Sequence, residues 1–204
     1  MKVEKRARCD DCCFLAEQCV CQWVPKLKTA LKMLVLQDPK EAKHAKNTVS
    51  LLCLGLPSVQ CVSIDDRSQL EGVLSQLDQN KWRLVFPIND AIPIESMNRM
   101  AASQMEGVIL LDATWRKAKK MYLTESLLQR FDAITFLHPP VGRYAIRKSP
   151  NDLSVSTLEA CAYAIEQITL ENMQPLRDFM NEAQEWQWRK QPLKHRHVEC
   201  KSRL

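Results

Sequence analysis

The chain holds only four glycines, Gly55, Gly72, Gly107 and Gly142, and no two lie close enough for a G-x-G-x-x-G turn or a Walker A loop. A usual dinucleotide fingerprint and a P-loop are therefore excluded. G-x-S-x-G and H-E-x-x-H are also missing, which argues against a hydrolase elbow and a zincin helix. No apolar run approaches the 18 or more residues of a membrane helix, and no signal-peptide core precedes the first cysteines, so the expected compartment is the cytoplasm. Disulfides are then unfavoured, and nine cysteines in a reducing compartment point to thiolate metal ligands or free thiols.

What is present suits one ordinary globular unit. A chain of 204 residues, 46% hydrophobic and 26% charged, buries roughly 70% of the surface its unfolded form exposes. The net charge of +5 and pI near 8.7 are only mildly basic, so clustering must decide whether a polyanion is bound. Lys2, Lys5, Arg6 and Arg8 stand against Glu4 at one end. Arg189, Lys190, Lys194, Arg196, Lys201 and Arg203 stand against Glu199 at the other.

Apolar runs at 31–37, 59–64, 83–87, 107–112 and 133–137 alternate with helical stretches near 41–56, 68–79, 94–105 and 114–130. Continuous apolar strands separated by helices predict an α/β fold, a mostly parallel sheet with helices on both faces. A loop over 138–152 follows the fifth run, and two helices finish the chain, the last near 174–190 with Leu176, Phe179, Met180, Ala183 and Trp186 on one stripe.

The N-terminal segment "CDDCCFLAEQCVC" sets Cys9, Cys12, Cys19 and Cys21 in a C-x2-C-x6-C-x-C pattern. Two close pairs can wrap four thiolates tetrahedrally around Zn²⁺ and leave no open position, the signature of a structural site. Cys13 lies in the same window and competes for the fourth place; the alternative is a set of reduced thiols packing an apolar start. Cys53, Cys61 and Cys161 read as buried packing residues.

In "GVILLDATWRKAKKMY" an apolar strand halts at Asp112, and Thr114 can cap a helix carrying Arg116, Lys117, Lys119 and Lys120 in its first turns. Ligands of open α/β sheets bind beyond the carboxyl ends of strands, where Asp112 falls. Cations at a helix start oppose the macrodipole, which a docked phosphate would reverse. Trp115, Ala118 and Tyr122 fall on one side at helical spacing, so core packing competes with a ligand role for the two aromatics. "RYAIRKSPNDLSVSTLEA" brings Arg143, Arg147 and Lys148 into the loop before a helix, where Ser156 and Glu159 have capping-box spacing.

Five segments in order, "CDDCCFLAEQCVC", "LQDPKEAKHAKNT", "RLVFPINDA", "LDATWRKAKKMY" and "YAIRKSPNDLSVSTLEA", resemble the DTW-domain family of tRNA-uridine aminocarboxypropyltransferases, related to the SPOUT-like RNA-modifying enzymes. The naming motif is Asp112, Ala113, Thr114 and Trp115. The sequence departs from the family pattern at Asp38, often histidine, after Asn47 and Thr48, where glycine and arginine often follow, and in "FPIND". The resemblance implies a SPOUT-like knotted core that binds S-adenosylmethionine and moves its 3-amino-3-carboxypropyl group to N3 of a tRNA uridine, in the variable loop by bacterial precedent. Thr48, Pro87, Leu110, Thr114, Trp115, Ser156, Thr157 and Glu159 would then surround the cofactor, with Asp112 catalytic. Arg116, Lys117, Lys119, Lys120, Arg143, Arg147 and Lys148 would hold RNA. The division expected is a zinc-binding segment over 1–24 and a catalytic domain over 25–204 with a basic tail, needing tRNA but no obligate protein partner. Competing readings are a zinc-containing RNA-binding protein without catalysis, an RNA methyltransferase, and the same transfer to ribosomal RNA.

Overall fold

Strand β1 (Lys32–Gln37) is buried at every position but its first, as an apolar run must be when both sheet faces are covered. The computed structural model describes residues 6–44, 47–140 and 155–190. Beyond β1 its elements are α1 (Pro39–Ala42), α2 (Thr48–Gly55), β2 (Val59–Ser63), α3 (Arg67–Gln76), β3 (Trp82–Val85), β4 (Ile92–Pro93), α4 (Arg99–Ser103), β5 (Gly107–Asp112), α5 (Trp115–Thr124), β6 (Ala133–Thr135), α6 (Thr157–Thr169) and α7 (Gln174–Trp188). The six strands form one sheet in the order β2-β1-β5-β3-β6-β4, every pair parallel.

Alternation along the strands divides the core. Met33, Val35, Val108 and Leu110 face α2, α4, α6 and α7, while Leu34, Leu36 and Ile109 face α3 and α5. Cys12 and Val20 of the N-terminal segment join the first cluster. Gly107 lets β5 start beside its neighbours: a Cβ there would lie 2.6 Å from the Lys32 carbonyl oxygen and 2.7 Å from the Trp82 ring.

The helical stretch expected over 41–56 is two helices. Lys43 ends α1, and Asn47 starts α2 afresh by accepting the Val49 N–H at 2.8 Å. The stretch over 94–105 opens as a 3₁₀ turn, with Asn98 capping the short α4; that over 114–130 leaves helical geometry at Glu125. Strand β3 ends two residues before Pro87, which has no N–H to give a ladder. Strand β4 escaped the sequence pattern because it is a two-residue edge strand containing proline. Cys61 is exposed, contrary to expectation, because β2 is the opposite edge of the sheet.

Candidate functional site

Strand order locates the site before any side chain is considered. From β1 the chain crosses to β2 through α2 on one face, and from the adjacent β5 it crosses toward β6 through α5 on the other. Neighbouring strands whose connections leave in opposite directions open a crevice at their carboxyl ends. Gln37 and Asp112, paired in the β1–β5 register, terminate those two strands.

The Asp112 carboxylate is held from both sides. Its Oδ1 accepts the Thr157 hydroxyl at 2.5 Å, and its Oδ2 accepts Gln37 Nε2 at 2.9 Å. Gln37 also makes a long 3.4 Å contact with Asn47 Oδ1 and accepts from the Cys61 thiol at 3.6 Å. Two strand ends and the first residue of α6 thus fix one carboxylate that, with about four lone-pair sites, retains capacity for an N–H or O–H of a ligand.

Asp38 follows directly. Its N–H donates to the Asp112 carbonyl at 2.9 Å, and its carboxylate caps α1 and takes Lys117 Nζ at 2.7 Å on both oxygens. Burial pushes the Asp38 carboxyl upward, but the Lys117 ammonium and the Lys40 N–H outweigh it and hold it below its ordinary value. Lys117, expected among the RNA contacts, is therefore committed to an internal ion pair. Arg116, Lys119 and Lys120 are exposed. Arg143, Arg147 and Lys148 lie outside the described residues.

Of the residues expected around a cofactor, Thr157 joins Asp112 directly. Ser156 and Glu159 form a capping box, the Glu159 carboxylate accepting Ser156 N–H at 2.8 Å and Oγ–H at 2.7 Å. Thr48, the first residue of α2, and Leu110 of β5 are buried, and Pro87 is exposed two residues after β3. Thr114 occupies the α5 cap position without a side-chain cap bond. Trp115 is 50% exposed and lies beside Phe86, so it is not core, whereas Tyr122 is partly buried against Phe86.

Sequence reasoning missed Gln37, Asn47 and the Asp38–Lys117 pair. It also missed Glu95, whose carboxylate accepts the N–H groups of Leu137 and His138 and the Tyr163 hydroxyl at 2.6 Å. Burial raises the Glu95 carboxyl, but these donors, Tyr163 first, bring it below its ordinary value. Glu95 thereby ties the residues that follow β6 to α6. An isolated glutamate after a two-residue strand carries no sequence signal for that role.

At the other end of the molecule the sulfurs of Cys9, Cys12, Cys19 and Cys21 lie within 4.8 Å of one another. Separations of 3.5, 3.6 and 3.8 Å match the roughly 3.8 Å that thiolates at about 2.3 Å from a tetrahedral ion would show. The N–H groups of Cys12 and Asp11, followed by the neighbouring thiols, lower Cys9 to about 7. Cys13 is exposed, at φ 60°, and falls outside the group. The four could hold a metal ion.

Comparison with known proteins gives a consistent picture. A family model described as "DTW domain" matches residues 6–187. The chain is similar to proteins named tRNA-uridine aminocarboxypropyltransferase 2, at 27% identity over 171 residues in Drosophila melanogaster and 27% over 168 residues in Mus musculus, each match covering 79% of this chain. It spans 66% and 56% of the length of those relatives. No solved structure matches. Among the described residues no helix is long and apolar enough to cross a membrane.

Proposed function

Because the chain belongs to the DTW-domain family, we propose that it transfers the 3-amino-3-carboxypropyl group of S-adenosylmethionine to N3 of a uridine in tRNA, in the variable loop, releasing methylthioadenosine. The observation that carries this reading is the doubly held Asp112 carboxylate at the switch point of the sheet. The names of the relatives supply the reaction class.

S-adenosylmethionine supplies a sulfonium whose three attached carbons are all electrophilic, so the work left to the protein is orientation and proton handling. The crevice must favour the γ-carbon of the methionine chain over the methyl, a positioning task for the walls formed by Thr48, Pro87, Thr114 and the α6 start. Leu110 forms part of the floor. Asp112 retains lone pairs to take the N3 proton of uridine or to orient an ammonium or ribose hydroxyl. Thr157 and Gln37 prevent the carboxylate from rotating away, and Ser156 with Glu159 fixes the backbone that presents Thr157.

Zinc suits the four cysteines, since an all-thiolate tetrahedral set closes the coordination sphere and makes the ion a structural element. In this reading residues 1–24 are the zinc segment and 25–204 the catalytic domain of a cytoplasmic tRNA-modifying enzyme with a knotted cofactor core. The test is incubation of the purified protein with S-adenosylmethionine and tRNA lacking the modification, followed by mass identification of the nucleoside. A uridine gaining the aminocarboxypropyl group, with methylthioadenosine released, is the expected result. A methylated nucleoside with S-adenosylhomocysteine, or cofactor binding with no product from any tRNA, would overturn it.

A further inference from the structure

Helix α5 begins without the devices that usually fix a helix start. Thr114 sits at its cap position with no side-chain cap bond, and the first turn holds no acid but carries Arg116 and Lys117. Cations at that end oppose the macrodipole, and an uncapped start leaves N–H groups without a partner. Yet the start has to be well placed, because Thr114 and Trp115, both expected at the cofactor, stand two and three residues after Asp112.

A single residue beyond the neighbouring strand pins this stretch at both ends. The Asp38 N–H donates to the Asp112 carbonyl at 2.9 Å, and the Asp38 carboxylate meets Lys117 Nζ at 2.7 Å on each oxygen. Residues 112–117 are thus tied to the end of β1, whose Gln37 also holds the Asp112 side chain. Asp38 is itself anchored, since Oδ1 accepts the Lys40 N–H at 2.9 Å. The Asp38 side chain is 8% exposed and that of Lys117 35%, so the acid is shielded from water and the cation only in part.

A pair this far buried adds little stability over apolar side chains of the same size, because desolvation offsets much of the attraction; its use is to define one arrangement. We propose that Asp38 and Lys117 are positioning residues for the transfer reaction. The ion pair takes the place of the missing cap, sets where α5 departs from β5, and so holds Thr114 and Trp115 where S-adenosylmethionine needs them relative to Asp112. Lys117 then acts on the cofactor side of the site, through the backbone, and takes no RNA phosphate. The proposal rests on the transferase reading for the identity of the ligand.

The test measures S-adenosylmethionine affinity by calorimetry, tRNA affinity across a salt series, and amide exchange of the full chain without ligand. Lys117→Met should weaken cofactor affinity about tenfold, the worth of one misplaced hydrogen bond, while tRNA affinity and its salt slope stay unchanged. Asp38→Asn keeps an acceptor for the Lys40 N–H and should give a similar cofactor loss. Lys117→Arg, whose guanidinium can meet both carboxylate oxygens, should recover most of the affinity. Without ligand, the Ala118 N–H, which closes the first turn of α5 on the Thr114 carbonyl at 2.8 Å, should exchange about tenfold faster in Lys117→Met relative to the amides of α7. Unchanged cofactor affinity in Lys117→Met overturns the proposal, as does a loss that Lys117→Arg fails to recover. A tRNA salt slope reduced by about one with cofactor binding intact also overturns it, since that is the mark of a phosphate contact. If the unaltered protein binds no S-adenosylmethionine, the transferase reading falls, and Ala118 exchange alone decides the placement of α5: faster exchange restored by Lys117→Arg upholds the clamp, and unchanged exchange refutes it.

Discussion

Replacing Asp112 by asparagine separates its chemical role from its structural one. The isosteric amide keeps one oxygen, which can still accept Gln37 Nε2, now 2.9 Å away. Its NH₂ then faces the Thr157 hydroxyl, which donates at 2.5 Å but can rotate to accept. Two charge-assisted bonds become neutral ones, each about 1 kcal/mol weaker, so the fold should lose about 1–2 kcal/mol, a fall in Tm of roughly 3–6 °C for a chain of this size. Loss of a general base costs roughly 100- to 10,000-fold in rate, about 3–5 kcal/mol of barrier. The chemical effect should therefore exceed the structural one. Turnover at saturating tRNA and S-adenosylmethionine, measured well below the melting range beside calorimetric cofactor affinity, divides the two candidate roles. Reduced kcat with unchanged cofactor affinity identifies the base. Cofactor affinity weakened about tenfold or more, the worth of a charged hydrogen bond, identifies the orienting group. Unchanged kcat and unchanged affinity would refute any role for the carboxylate.

Lys117→Met strands the buried Asp38 carboxylate and should cost about 1–2 kcal/mol, less than a fully buried pair because Lys117 is 35% exposed. The folded Asp38 carboxyl lies below its unfolded value of 3.8, so its stabilisation is complete above that pH and is lost as pH falls through the folded value; the variant should show a flatter acid limb in urea titrations between pH 5 and pH 2. Chelation of a zinc-loaded preparation, or Cys19→Ser, should release the ion, read with a colorimetric indicator, and lower Tm by several degrees, since Cys12 and Val20 belong to the same core as α7. Unchanged Tm on metal loss would detach the segment from the fold. Leu170→Gly should raise stability by roughly 1 kcal/mol, seen as a higher Tm, because Leu170 closes α6 at φ 65° with 72% of its surface exposed and little packing to lose.

Strands were legible because their residues are buried on both faces and need no partner knowledge to be apolar; β5 was read to its last residue, since the acid at 112 ends the run. Helix α6 was marked by Ser156 and Glu159, a local signal that the structure keeps as a capping box. The four thiols were legible for the same reason, their contacts all falling within thirteen residues. What escaped was long-range. Lys117 reaches Asp38 across 79 positions and Thr157 reaches Asp112 across 45, and nothing in either local pattern distinguishes a cation bound to phosphate from one bound to a buried acid. Helical spacing left core packing and a ligand role open for Trp115, because it identifies a stripe without saying whether another element covers it; half of the side chain's surface is in fact uncovered.

The cysteine segment and the residues that follow α7 meet in space. Lys190 pairs with Glu17 at 2.7 Å, and Arg189 lies 3.5 Å over the Trp186 ring while donating to the Glu17 carbonyl at 2.6 Å. Trp186 in turn packs on Trp23 at 5.6 Å. Glu17 belongs to the turn between Cys12 and Cys19, and Trp23 stands two residues after Cys21, so the metal-ligand segment and the end of α7 form one interlocked unit. The charges of Arg189 and Lys190 are engaged at that junction. A metal held by the four thiols would also fix Glu17 and Trp23, and through them the end of α7. An all-thiolate tetrahedral set would close the coordination sphere, so a metal there would act through the position of these residues and not as a reactant.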